Sequence, residues 1–145
     1  MKNVIRLAVV AATTMFLGTA QANADHREHV VNGADGMHYL ALQVSDNNPG
    51  TMVKVMNNAS NITKSYQAEG MEIEIRIVAY NAGLHLLRSD TSPVLERLNS
   101  FNQSMPNVTF IACGNTIKGM TKNEGTPPPI VDHAVVVPGG IRELI

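Results

Sequence analysis

The chain has 145 residues, with 11 Lys and Arg against 12 Asp and Glu for a net charge of −1; charged residues make up 16% and aromatics 4%. That length predicts one domain, the mild acidity argues against non-specific affinity for nucleic acid or anionic lipid, and a lone cysteine, Cys113, excludes an intrachain disulfide framework and a CxxC redox pair. So sparse a set of charges makes a poor surface for a solitary monomer and points to self-association.

In chain order, Lys2 and Arg6 give a positive start, an apolar stretch runs from Leu7 to Gly18, and Ala22-Asn23-Ala24 sets small residues at −3 and −1 of a cut before Asp25. An apolar run of about a dozen residues is shorter than the roughly 20 that a bilayer helix needs. Residues 1–24 therefore read as a cleaved export signal. The mature 121 residues carry nine basic against 12 acidic side chains, a charge of −3. The expected location is an oxidising compartment, most simply a bacterial periplasm, with no membrane insertion after cleavage.

Residues 25–37 are polar and Gly-containing and read as a flexible lead-in to a single domain over 38–145. His38 to Val44 predicts a first strand, closed by the turn-rich Ser45–Gly50. From Thr51 the period changes: Met52, Val55, Met56, Ala59, Ile62 and Tyr66 form one helical stripe, with Gly70 placed as a left-handed cap. Met71 to Tyr80 alternates and then turns wholly apolar, a strand entering a core. Asn81-Ala82-Gly83 follows as a tight loop, and Leu84, Leu86 and Leu87 predict a short helical turn around His85. Thr91 or Ser92 is placed as the cap of a helix beginning at Pro93, with Val94, Leu95, Leu98, Phe101 and Met105 on its inner face. Val108 to Ala112 predicts a third strand, and Cys113–Thr116 leads into a short helix through Met120. Residues 121–131, with three prolines, read as loop. His133 to Val137 predicts a fourth strand, and Ile141–Ile145 a final helical stub.

Short apolar strands alternating with helices imply parallel pairing through right-handed crossovers. The predicted fold is a small three-layer α/β/α domain with a mainly parallel central sheet. An antiparallel ferredoxin-like sheet is the competing arrangement, and it needs hairpins that this sequence does not offer.

Ligands in such sheets collect beyond the C-terminal strand ends. Four segments map there: Ser45–Gly50, Asn81–Gly83, Cys113–Thr116 and Pro138–Gly140. Cys113 has the strongest chemical position, since it ends a strand, Gly114 permits close backbone approach, and helix amides beyond it stabilise a thiolate. The bland reading is a small buried hydrophobe, and both stay open. His85 is read either as a proton shuttle or ion-pair partner across the rim or as a half-buried, hydrogen-bonded residue. His133 and His38 lie at the far strand ends and read as structural. No phosphate loop, nucleophile elbow or metal-ligand spacing is present, so no cofactor or metal is assigned.

Three segments, IVAYNAGLHLL (77–87), FIACGNTI (110–117) and VVVPGGIRELI (135–145), resemble the DsrE/DsrF-like sulfur-relay family over most of the mature domain. The resemblance implies a three-layer α/β fold, assembly into homo-oligomers (trimers or hexamers), and sulfur carried as a cysteine persulfide between donor and acceptor proteins. It makes Cys113 the sulfur acceptor, with Asn81 and Gly83 on the neighbouring loop and Gly114, Asn115 and Thr116 lining the rim. The chain departs from the well-known members in its export signal and in ending soon after the last strand. The expected function is a periplasmic persulfide carrier. The alternative is a non-catalytic oligomeric binding protein that takes a small ligand, or a soft metal such as Cu(I), at the same rim.

Overall fold

A computed structural model describes residues 31–33 and 36–145. Residues 1–30 and 34–35, with the export signal and most of the flexible lead-in expected there, lie outside the described residues. The central sheet has five strands in the order of the chain: β1 (Val31–Asn32), β2 (His38–Val44), β3 (Ile73–Ala79), β4 (Val108–Cys113) and β5 (Ala134–Val137). The four longer strands are parallel, and the two-residue β1 pairs antiparallel to β2 through Val31↔Tyr39 and Asn32↔His38. Part of the lead-in thus belongs to the sheet.

Helix α1 (Pro49–Ala68) starts where the sequence provides a cap. The Asn48 side-chain oxygen accepts the N–H groups of Gly50 and Thr51 at 2.7 and 3.3 Å, and Pro49 occupies a position that needs no donor. Its buried stripe is Met52, Val55, Met56, Ala59 and Thr63. Gly70 closes it in the left-handed region at φ +69°, with the Met71 N–H on the Tyr66 carbonyl at 2.9 Å.

Two predicted boundaries move. Helix α2 (Leu95–Ser104) begins two residues after Pro93 and has no side-chain cap. Both predicted caps are bonded upstream: Thr91 Oγ1 bonds His85 Nδ1 at 2.7 Å, and Ser92 Oγ donates to the Leu86 carbonyl at 2.9 Å while accepting the Val94 N–H at 3.4 Å, ahead of the first helical residue. Helix α3 (Gly114–Glu124) extends four residues past Met120, into the stretch read as loop. Gly125 ends it at φ +81°, two residues before the first proline could interfere.

Alternate strand residues decide which face is core. Leu40, Leu42 and Val44 of β2, Ile73 to Ala79 in steps of two on β3, Val108, Phe110 and Ala112 of β4, and Ala134 of β5 form one apolar cluster with side chains from all three α-helices. The first 3₁₀ helix (Asn81–Leu87) adds Leu84, Leu86 and Leu87 to the same cluster. Strands laid side by side in chain order, joined by crossovers of one hand, put every connecting helix on the same side. The opposite outer layer is thin, being the C-terminal 3₁₀ helix (Gly140–Leu144), which touches β2, β3 and β4. On that side Val78 and Ile111 are buried, and Arg76 pairs with Glu143 at 2.7 Å. The α/β/α arrangement predicted from the sequence is present, with one thick and one thin outer layer. None of the helices of the described residues is long and apolar enough to cross a membrane.

Candidate functional site

The site is built where β4 ends and α3 begins. Cys113 is the last residue of the strand and the N-cap of the helix, at φ −74° and ψ 112°. Its side chain sits on the thin-layer face, 6% exposed, and the Gly140 N–H donates to Sγ at 3.3 Å. Burial pushes the thiol pKa up. The Gly140 N–H bond, with the polar groups of Thr116 and Asn115 at the start of α3, outweighs burial and holds the pKa below its ordinary value.

Thr116 Oγ1, on the first turn of α3, accepts the Asn81 N–H at 3.0 Å. Asn81 presents that N–H from a left-handed backbone, φ 49°, at the start of the first 3₁₀ helix. Asn tolerates this conformation better than most residues. The polar loop after β3 is therefore tied to the first turn of α3, the helix that begins at the thiol.

Two glycines permit these close approaches. A Cβ on Gly83 would lie 2.1 Å from the Val44 carbonyl oxygen, and one on Gly114 would lie 2.8 Å from that of Val137. Only hydrogen fits in either gap, so the 3₁₀ turn can pack against the end of β2 and α3 against the end of β5.

A cleft of about 600 Å³ opens beside Cys113. Asn81, Asn115, Thr116 and Asn123 give it amide and hydroxyl groups, while Met120 and Ile141 supply apolar wall. Arg142 is the one charged side chain among its lining residues, and no carboxylate lines it. Of the residues singled out from the sequence, Cys113, Asn81, Asn115 and Thr116 come together here. Gly114 lies buried behind the sulfur, and Gly83 packs away from the cleft against β2. His85 does not line it: its Nδ1 is held by Thr91 Oγ1, because the 3₁₀ turn points the ring toward the α2 connection. His133 stands before β5 at the other end of the strand, its ring edge-on to Phe110 at 6.0 Å.

Sequence reasoning missed Arg142, Asn123 and the sulfur-binding N–H of Gly140. Pro138–Gly140 was legible as a rim segment, but nothing in the sequence says that the chain folds back over the thin face of the sheet. It also missed Arg88, which is 5% exposed. Its guanidinium binds Asp90 at 2.8 and 2.9 Å and Glu124 at 2.6 and 2.9 Å, tying the segment after the first 3₁₀ helix to the end of α3. Bonds from Asp90 and then Glu124 hold it more firmly protonated than usual, and the same bonds hold both carboxyls below their ordinary values. Among the described residues no group of three or more His, Cys, Asp or Glu side chains is arranged to hold a metal ion.

No protein-family model matches the chain, and no curated protein does. Among solved structures the chain is similar to MTH1491, a protein of unknown function from Methanobacterium thermoautotrophicum, with a TM-score of 0.60 at 20% identity, covering 73% of this chain and 86% of that one. At that identity the likeness shows the fold alone.

Proposed function

We propose that the protein is a persulfide carrier that accepts a sulfane sulfur on Cys113 and passes it to a thiol on another molecule. The observation that carries this reading is the Gly140 N–H bond to the Cys113 sulfur at a cleft where α3 begins, with the polar groups of Asn115 and Thr116 beside it favouring the thiolate. The same donors serve both half-reactions. In loading, the Cys113 thiolate attacks the sulfane sulfur, a new S–S bond forms, and the donor's leaving group departs with the electron pair of the broken bond. In unloading, an acceptor thiolate attacks the outer sulfur and Cys113 leaves as thiolate. A low thiol pKa raises the thiolate fraction for the first step and makes Cys113 the better leaving group in the second. With one cysteine in the chain, release is intermolecular, which suits a carrier.

The resemblance of residues 77–87, 110–117 and 135–145 to DsrE/DsrF-like proteins supports the same reading and brings with it homo-oligomers and protein donors and acceptors. Val135 and Val136, 49% and 55% exposed on the uncharged edge strand β5, support self-association. The leader-like residues 1–24 support a periplasmic location.

The slight exposure of Cys113 favours a second reading, in which the cleft binds a ligand without covalent chemistry. Intact-protein mass spectrometry after exposure to inorganic polysulfide separates the two. A +32 Da adduct, absent from Cys113→Ser and removed by an added thiol, is expected of the carrier. No adduct, with Cys113 also unreactive toward iodoacetamide until the protein unfolds, would leave only the binding reading.

A further inference from the structure

We infer that the sulfur donor is a small sulfane-sulfur oxyanion of the thiosulfate class, positioned over Cys113 by Arg142. This rests on the persulfide-carrier reading and goes beyond it by fixing the chemistry of the donor.

The starting point is the charge of the cleft. Arg76, Arg88 and Arg97 each hold a carboxylate or amide partner, whereas Arg142 has no side-chain partner among the described residues and lines the cleft with the thiol. No acidic side chain lines that space to neutralise it. Arg142 stands two residues after Gly140, whose N–H binds the sulfur at 3.3 Å. One 3₁₀ turn carries both, with the Arg142 N–H on the Gly139 carbonyl at 3.2 Å, so its Cα lies about 4 Å along the axis from the sulfur-binding N–H. The sulfur-binding N–H and the arginine that lines the cleft are thus carried on one turn.

An anionic thiolate attacking an anionic donor faces repulsion that water screens outside the site. Inside, the positive N-terminal end of the 11-residue α3 and the Arg142 guanidinium offset it. The guanidinium fork matches the oxygen spacing of a sulfonate group. The Asn81, Asn115 and Asn123 amides add neutral donors for oxygen atoms. A neutral apolar donor would leave these groups unused.

The step balances without another reactant. The Cys113 thiolate bonds to the outer sulfur of thiosulfate, and the bond from that sulfur to the sulfonate breaks. Sulfite leaves with the electron pair, so the sulfonate sulfur is reduced while the thiolate sulfur is oxidised to the persulfide level. Charge is conserved: a thiolate and a thiosulfate dianion give a persulfide anion and a sulfite dianion. Arg142 is a positioning residue, holding the oxyanion end of the donor.

The test follows +32 Da loading of Cys113 and sulfite release with thiosulfate, for the parent protein, Arg142→Gln and Arg142→Lys. Inorganic polysulfide and iodoacetamide are run in parallel, and melting curves check folding. The expected result is loading with one sulfite per adduct, slowed about tenfold in Arg142→Gln and partly restored in Arg142→Lys. Iodoacetamide reacts with all three proteins at similar rates, and excess sulfate slows thiosulfate loading of the parent but not of Arg142→Gln. The inference is overturned if polysulfide loads Cys113 while thiosulfate does not, or if Arg142→Gln loads from thiosulfate as fast as the parent. It is equally overturned if Arg142→Gln slows iodoacetamide to the same extent, which would place Arg142 behind the thiol and not the donor. Those three outcomes leave the carrier reading standing. Failure of both sulfur donors overturns the carrier reading as well.

Discussion

Replacing Thr116 with valine tests the thiolate cradle most directly. Valine keeps the size and β-branching of a half-buried helical residue while removing one hydroxyl. That hydroxyl accepts the Asn81 N–H at 3.0 Å and lowers the Cys113 thiol pKa. A hydrogen bond to a charged acceptor contributes about 1.5–3 kcal/mol. The Gly140 N–H bond and the polar backbone groups of Asn115 and Thr116 remain, so the lower end applies: about 1.5 kcal/mol, or roughly a tenfold fall in thiolate population below the thiol's pKa. The alkylation rate falls less than this, because a more basic thiolate is the better nucleophile. With a Brønsted coefficient of about 0.45 the net loss is three- to fourfold. The assay is the pH profile of iodoacetamide alkylation at Cys113, read by intact mass. Thr116→Val is expected to move the inflection to higher pH and raise the high-pH plateau, while Thr116→Ser keeps the parent profile. Opposite changes on the two limbs separate lost thiolate stabilisation from blocked access, which lowers both. An unchanged inflection in a Thr116→Val protein that melts like the parent would refute the reasoning.

Gly83→Ala drives a Cβ to 2.1 Å from the Val44 carbonyl oxygen and 2.4 Å from its carbon, backbone that cannot step aside without opening the end of β2. A loss of about 3 kcal/mol or more is expected by urea denaturation, and a loss below about 1 kcal/mol would show that the turn relaxes freely. Asn48→Ala removes the oxygen that caps α1, with an expected cost of about 1 kcal/mol in the same measurement; no change would mean that Pro49 alone sets the helix start. The Arg88 bonds hold the Asp90 and Glu124 carboxyls below their ordinary values. Their stabilisation is therefore present above about pH 4 and is lost as pH falls through the depressed folded values. Both carboxylates are over a third exposed, so the effect is screened. Arg88→Leu should flatten the acid limb of a urea-midpoint titration, and an unchanged slope would assign that limb to other carboxylates.

The sequence alone determined the elements and their order. The stripe from Met52 to Ala59, the alternation entering Ile77–Ala79 and the apolar run Val108–Ala112 are burial patterns, and burial is a property of each side chain that periodicity exposes. The placement of Cys113 at a strand–helix junction followed from the same patterns, as did its closeness to the Asn81 loop across the rim. Element boundaries were less legible, because Thr91 and Ser92 have two competing partners and only the packed 3₁₀ turn decides between them. Tertiary structure alone decided the charge and the donors of the site. Gly140 bonds Cys113 from 27 residues away, and Arg142 lines the same cleft, only because the chain after β5 folds back across the thin face of the sheet. His85 is aimed away by the same kind of long-range choice, through its bond to Thr91. A hydrogen bond or a cation near a thiol depends on distances set by chain closure, and no local pattern of residues encodes them.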